Sequence, residues 1–230
     1  MNKLSKILRV LTYLTSLVII SFGIRLILNT GLGVGAFDVL VFGTNKKFGL
    51  SCGQSQAVLS SIALTIYSIW NRKFPPILAF MTNYLIGWCV DNVSICLSNV
   101  KGINLWHDYA LLADYSILFV GIIVLSLGVN FLLLSKIGIV SHDLIVLTLM
   151  EKFKWTIRRA KSVVEIVVAI LGALLGGPVG IGTVAVTFLL GPLLEVERKI
   201  SFKIIKKFKT RFEVFELYEG ESKKKERLSA

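Results

Sequence analysis

The sequence predicts an all-α polytopic membrane protein, with six transmembrane helices arranged as two inverted three-helix repeats that each carry a short Gly-interrupted segment. Three observations predict it. The 230-residue chain is 54% hydrophobic and 17% charged, with mean hydropathy +0.74, whereas soluble domains are about 25% charged. Six apolar stretches approach the length of a membrane span. The second half also repeats polar landmarks of the first. This composition excludes a disordered chain and a disulfide scaffold, and it fits an ordinary cytosolic enzyme poorly.

A transmembrane helix needs about 20 mostly apolar residues. That window selects Leu8–Leu28, Gly53–Trp70, Ile77–Leu97, Ala110–Leu134, Val163–Pro178 and Gly180–Val196. The last two are short, so five spans with one re-entrant segment is the competing count. Short cytoplasmic loops collect Lys and Arg, and here the positive charge decides. Lys3, Lys6 and Arg9 precede the first span, Arg72 and Lys73 follow the second, and Lys136 to Lys161 hold six basic residues. The tail after Val196 adds eleven Lys or Arg against six Glu. Six spans with both termini cytoplasmic put all of these on one face; five would place the tail opposite the basic fourth loop. Arg25 stands where a signal-peptide cleavage site would be wanted, so the first helix is expected to be retained. Cys89 and Cys96 lie about 10.5 Å apart along one helix, too far for a disulfide, and all three cysteines read as small packing residues.

At an offset of 105, Ser21-Phe22-Gly23 falls on Ser126-Leu127-Gly128, Leu32-Gly33-Val34 on Ile137-Gly138-Ile139, Asp38 on Asp143, and Lys47-Phe48 on Lys152-Phe153. A one-residue shift then places Gly87 and Asp91 on Gly191 and Glu195. Coincident Gly, Asp and Lys-Phe positions in one register indicate an internal duplication. Each unit has three spans, an odd number, so the second copy enters the membrane from the opposite face. Inverted repeats of this kind are a common layout of secondary transporters. The expected organisation is residues 1–98 as the first repeat, 99–109 as an external linker, 110–196 as the second repeat, and 197–230 as a basic cytoplasmic tail.

The segments Gly31–Gly43 and Lys136–Met150 are too apolar for ordinary loops and too short to span. Glycine permits a sharp turn and close approach, a following Asp can cap a short helix, and a helix N-terminus carries partial positive charge. Paired interrupted segments point to a transporter's binding site. They also fit two flat interfacial helices, with Asp38 and Asp143 acting only as caps. Charge within a bilayer is costly and is retained for function or pairing. Arg25 can snorkel to the interface or pair with Asp38, Asp91 or Asp114, and Glu165 follows Lys161 by one turn, which favours an ion pair. Asp91 and Glu195 read as solvated caps or helix ends. Asn83, Tyr84 and Asn92 turn the third span toward the interior.

Other chemistry is poorly supported. In Ser141-His142-Asp143 the adjacent residues cannot act as a triad, whose members converge from separate elements. His107 has no partner at metal-ligand spacing, and the glycine clusters lack the context of a nucleotide-binding loop. No enzyme activity, metal or cofactor is expected. In the tail, Ile200, Ile204, Phe208, Phe212 and Phe215 recur at helical spacing between basic residues. That pattern predicts an amphipathic helix on anionic lipids, followed by a solvated, disordered end. Membrane contact accounts for the charge without nucleic acid.

The stretches Gly33-Val34-Gly35-Ala36-Phe37-Asp38-Val39-Leu40, Ile137–Asp143 with Arg159 and Glu165, and Gly176-Gly177-Pro178-Val179-Gly180-Ile181-Gly182-Thr183 before Gly191-Pro192 resemble the YczE/YyaS/YitT-type bacterial membrane protein family. The likeness covers about residues 8–196. It departs at Gly35-Ala36 and Val140-Ser141, where the family usually has Gly-Pro, so the turns here are less rigid. The resemblance implies a multi-pass protein of the bacterial cytoplasmic membrane.

Together these readings favour a small secondary transporter for an unknown small molecule or ion. Its site is expected between the repeats at Gly33, Gly35, Asp38, Gly138, Ser141 and Asp143, with Arg25, Arg159 and Glu165 as charged supports. The competing class is a non-transporting scaffold or regulatory partner docking through its helices or tail. A thin six-span bundle also leaves room for a homodimer.

Overall fold

The computed structural model describes residues 3–72, 74–99, 110–138, 140–197 and 199–201. Most of the expected external linker and the tail past 201 lie outside them. All regular structure among the described residues is helical. The first half contains α1 (Lys3–Asn29), α2 (Ala36–Phe48), α3 (Cys52–Asn71) and α4 (Ile77–Asn99). The second contains α5 (Ala110–Ser135), α6 (Ser141–Phe153), α7 (Ile157–Leu174) and α8 (181–197). The order is long, short, long, long in each half, and the short helices both have 13 residues.

Two helices are long and apolar enough to cross a membrane by length and composition, Ile7–Asn29 and Ala113–Ser135, with mean hydropathy 2.0 and 2.7. They occupy equivalent places in the two halves and pack on each other to form the centre of the molecule. Leu17, Ile20, Ile24 and Ile27 meet Leu118, Ile122, Leu125 and Leu132 in the main core. Small residues bring the backbones together. A Cβ on Gly23 would stand 2.7 Å from the Leu125 nitrogen, and one on Gly128 would stand 2.7 Å from the Ile20 nitrogen. A Cβ on Gly121 would lie equally close to Ile27. Positions rising along α1 meet positions falling along α5, so these helices run antiparallel. Moreover, Ile20 and Gly23 are the equivalents of Leu125 and Gly128 at the offset of 105, so the crossing exchanges equivalent residues.

The short helices cross over in the same way. α2 packs on α7 of the other half, and α6 packs on α3. Asn71 Nδ2 donates to Thr148 Oγ1 at 2.8 Å, and Lys152 Nζ lies 5.1 Å from the Trp70 ring centroid, holding the end of α6 to the end of α3. The turns leading into α2 and α6 are also built alike. Thr30 donates to the Ile27 carbonyl and accepts from Leu32 N–H; its equivalent, Ser135, donates to Leu132 and accepts from Ile137 N–H.

The fifth apolar stretch, expected at Val163–Pro178, is helical over Ile157–Leu174 instead. Hydropathy misses the basic first turn, although Arg and Lys are good helix formers. At the other end Gly176 takes φ +83 and Pro178 lacks an N–H to continue the helix.

Candidate functional site

α3 has a sealed N-terminus. Ser51 and Gln54 form a reciprocal capping box, and Asp91 accepts from Cys52 N–H at 3.0 Å and Gly53 N–H at 2.9 Å. These bonds take up the free backbone donors that begin any helix. Asp91 is therefore a cap supplied by α4.

α2 and α6 are different. Their N-caps are Gly35 and Val140, and neither helix has a side-chain cap hydrogen bond. Asp38 and Asp143 are each the third residue of their helix, yet neither side chain caps it. Phe37 and His142, equivalent at the offset of 105, stack with ring centroids 4.4 Å apart. This pair brings the starts of the two short helices together from opposite halves.

Around the stacked pair lies a cavity of about 150 Å³. Its polar lining includes Asp38, Asp143, Glu165, Lys161, Gln56 and Asn83, and Ile20, Ile24, Leu125 and Val129 from the central seam form part of its apolar wall. Lys161 Nζ stands 3.9 Å from Glu165 Oε1, and His142 Nε2 stands 3.7 Å from Asp143 Oδ1. Asp38 makes no ion pair or side-chain hydrogen bond among the described residues, and its Oδ2 faces Gly35, where a Cβ would stand 3.0 Å away. Asn83 is 1% exposed and donates to Ser60 Oγ at 2.8 Å and to Ser141 Oγ. It thereby ties α4 to α3 and to the first residue of α6.

Of the residues expected at the site, Gly35, Asp38, Asp143 and Glu165 line this cavity. Gly33, at φ +104, instead presses on Gly180 and Thr183 where α8 begins, a position without room for a side chain. Gly138 packs against Tyr13, Leu132 and Thr82, and Ser141 is buried in the Asn83 network. Arg25 is half-buried and forms no ion pair with Asp38, Asp91 or Asp114. Arg159 is exposed beside Trp155, away from the cavity. Sequence reasoning missed Phe37, His142, Gln56 and Lys161 as lining groups and read Asn83 only as a sign of an inward face. Tyr84 and Asn92 of that set point outward. The signal for the stacked pair was present, because the offset of 105 aligns His142 with Phe37.

An all-helical membrane protein with a cavity between paired short helices is the class that this fold and site define. The chain belongs to a family of unknown function (DUF6198), whose model matches residues 7–199. It is 30% identical over 184 residues to the uncharacterized protein YyaS of Bacillus subtilis (strain 168), covering 80% of this chain and 89% of the relative. It is 22% identical over 200 residues to the uncharacterized membrane protein YczE of the same organism, covering 86% of this chain and 89% of the relative. No solved structure matches the chain. The resemblance read from the glycine and aspartate motifs therefore holds.

Proposed function

We propose that the protein is a small permease of the secondary-transporter type in the cytoplasmic membrane, with two halves opposed across the bilayer and a solute site between them. The observation that carries this reading is the convergence of two uncapped short-helix N-termini, one from each half, on a single cavity. Short helices meeting near the midplane at a repeat interface are a recurring construction in transporters. The antiparallel crossing of α1 and α5 supports inversion of the halves, since an axis along the membrane normal would make those helices parallel. On this reading α3, α4, α7 and α8 complete six spans, both termini are cytoplasmic, and α2 and α6 reach only part of the way through the bilayer. The cavity binds and releases solute; no covalent chemistry is assigned to it.

The test is uptake by proteoliposomes of a panel of small labelled solutes, comparing the wild type with the Asp38→Asn/Asp143→Asn variant. Uptake of at least one solute should fall by roughly tenfold or more in a variant that inserts and purifies normally, as expected when two charges that contact the solute are removed. Unchanged uptake in that variant, or no uptake of any solute by the wild type, counts against the reading. Topology is checked on a cysteine-free background. Asn45→Cys, Asn104→Cys and Val179→Cys should label from outside and Trp155→Cys from inside; labelling of positions 45 and 155 from one face would remove the inversion.

A further inference from the structure

Resting on the permease reading, we infer that the cavity takes a small primary alkylammonium ion, with its charged head at Asp38 and Asp143 and its alkyl part against the α1–α5 seam. Two opposing effects meet there. A helix N-terminus presents about half a positive charge, so the starts of α2 and α6 together offer about one, which favours an anion. Lys161 adds another positive charge. Against these stand three carboxylates, Asp38, Asp143 and Glu165, lining the same space. Among the side chains lining the cavity, carboxylates outnumber the Lys161 ammonium by three to one. Lys161 is held 3.9 Å from Glu165 on its own helix, which leaves Asp38 without an ion-pair partner.

A second observation is independent of those acids. Gln56 and Asn83 line the cavity, are 5% and 1% exposed, and have side-chain oxygens, Oε1 and Oδ1, with no hydrogen-bond partner. Buried polar atoms are almost always paired, and two such acceptors lining one cavity suit a guest that donates. An ammonium head offers three N–H donors and no acceptor. Much of the rest of the wall is aliphatic, including Ile20, Ile24, Ile86 and Val186. A cavity of this size holds a guest of roughly six heavy atoms. An inorganic ion would leave that apolar space empty, and a carboxylate would face three of its own kind.

The experiment is calorimetric titration of the full-length protein in detergent with n-butylammonium, n-butanol, butyrate and potassium chloride. Only n-butylammonium should bind saturably, and Asp38→Asn should weaken it by about 30-fold or more, as for loss of one partner of a buried charge pair. Preferred binding of butyrate or butanol, equal binding of potassium, or unchanged affinity in both Asp38→Asn and Asp143→Asn would overturn the inference. The wild-type ligand series keeps the result decisive even if the variants fail to fold. Asp38-dependent ammonium binding without flux in proteoliposomes would sink the permease reading and leave this one standing. Flux of another solute without ammonium binding would do the reverse.

Discussion

The antiparallel seam between α1 and α5 gives the sharpest prediction. In Gly23→Ala the new Cβ meets the Leu125 nitrogen at 2.7 Å and its Cα at 2.8 Å, and in Gly128→Ala it meets the Ile20 nitrogen at 2.7 Å. Backbone cannot swing aside, so the helices must separate by about 0.7–1 Å to restore ordinary contact distances. A gap of that order forfeits a quarter to a half of each dispersion contact across it. Eight buried side chains meet at this seam. Taking roughly 50 cross-seam atom pairs at about 0.15 kcal/mol gives about 7.5 kcal/mol, of which about 2–4 kcal/mol would be lost. Alanine's better helix propensity returns at most about 1 kcal/mol, so the net cost is about 1–3 kcal/mol for each substitution. Gly121→Ala is the control, because the atom it first meets is Ile27 Cγ1, part of a movable side chain, and it should cost less. Gly23→Ala and Gly128→Ala together should cost less than the sum of the two, because separation for one relieves the other. The assay is unfolding in mixed detergent and SDS micelles followed by circular dichroism. The reasoning is refuted if either variant is as stable as the wild type, or if Gly121→Ala proves the most damaging.

Two further perturbations test neighbouring parts of the argument by the same titration. Asn83→Ala removes the donor that reaches Ser60 and Ser141 from a fully buried position and should cost about 1–2 kcal/mol; a neutral result would mean that this network does not anchor α6. Lys136 holds φ +55 at the turn where its equivalent in the first half, Gly31, has φ +67. Lys136→Gly should therefore stabilise the protein by about 1 kcal/mol, and a loss of stability would show that the lysine side chain contributes more than the backbone strain it imposes.

Much of the molecule was legible without coordinates. Span length and hydropathy are one-dimensional properties, since a helix that must satisfy its own backbone in lipid announces itself by an apolar run. The equivalence of Asp38 with Asp143, and of the glycine turns before them, could be read as a register match. The start of α7 was less legible, because a basic first turn is invisible to hydropathy although it folds as helix. Of the three charged supports Glu165 lines the cavity while Arg25 and Arg159 do not, because the right charge on the right segment leaves the helix face unspecified.

By itself, then, the sequence determined that the chain is apolar and helical, that polar landmarks recur at an offset of 105, and that each half carries one interrupted segment ending near an aspartate. Only the tertiary structure decided that α2 crosses to α7 and α6 to α3, that Phe37 stacks on His142, and that Gln56 and Asn83 line the same cavity as Asp38. The physical reason is that local composition selects which residues are helical and buried. Which faces meet depends on how closely two backbones approach, and here that is decided where Gly23 lies against Leu125 and Gly128 against Ile20.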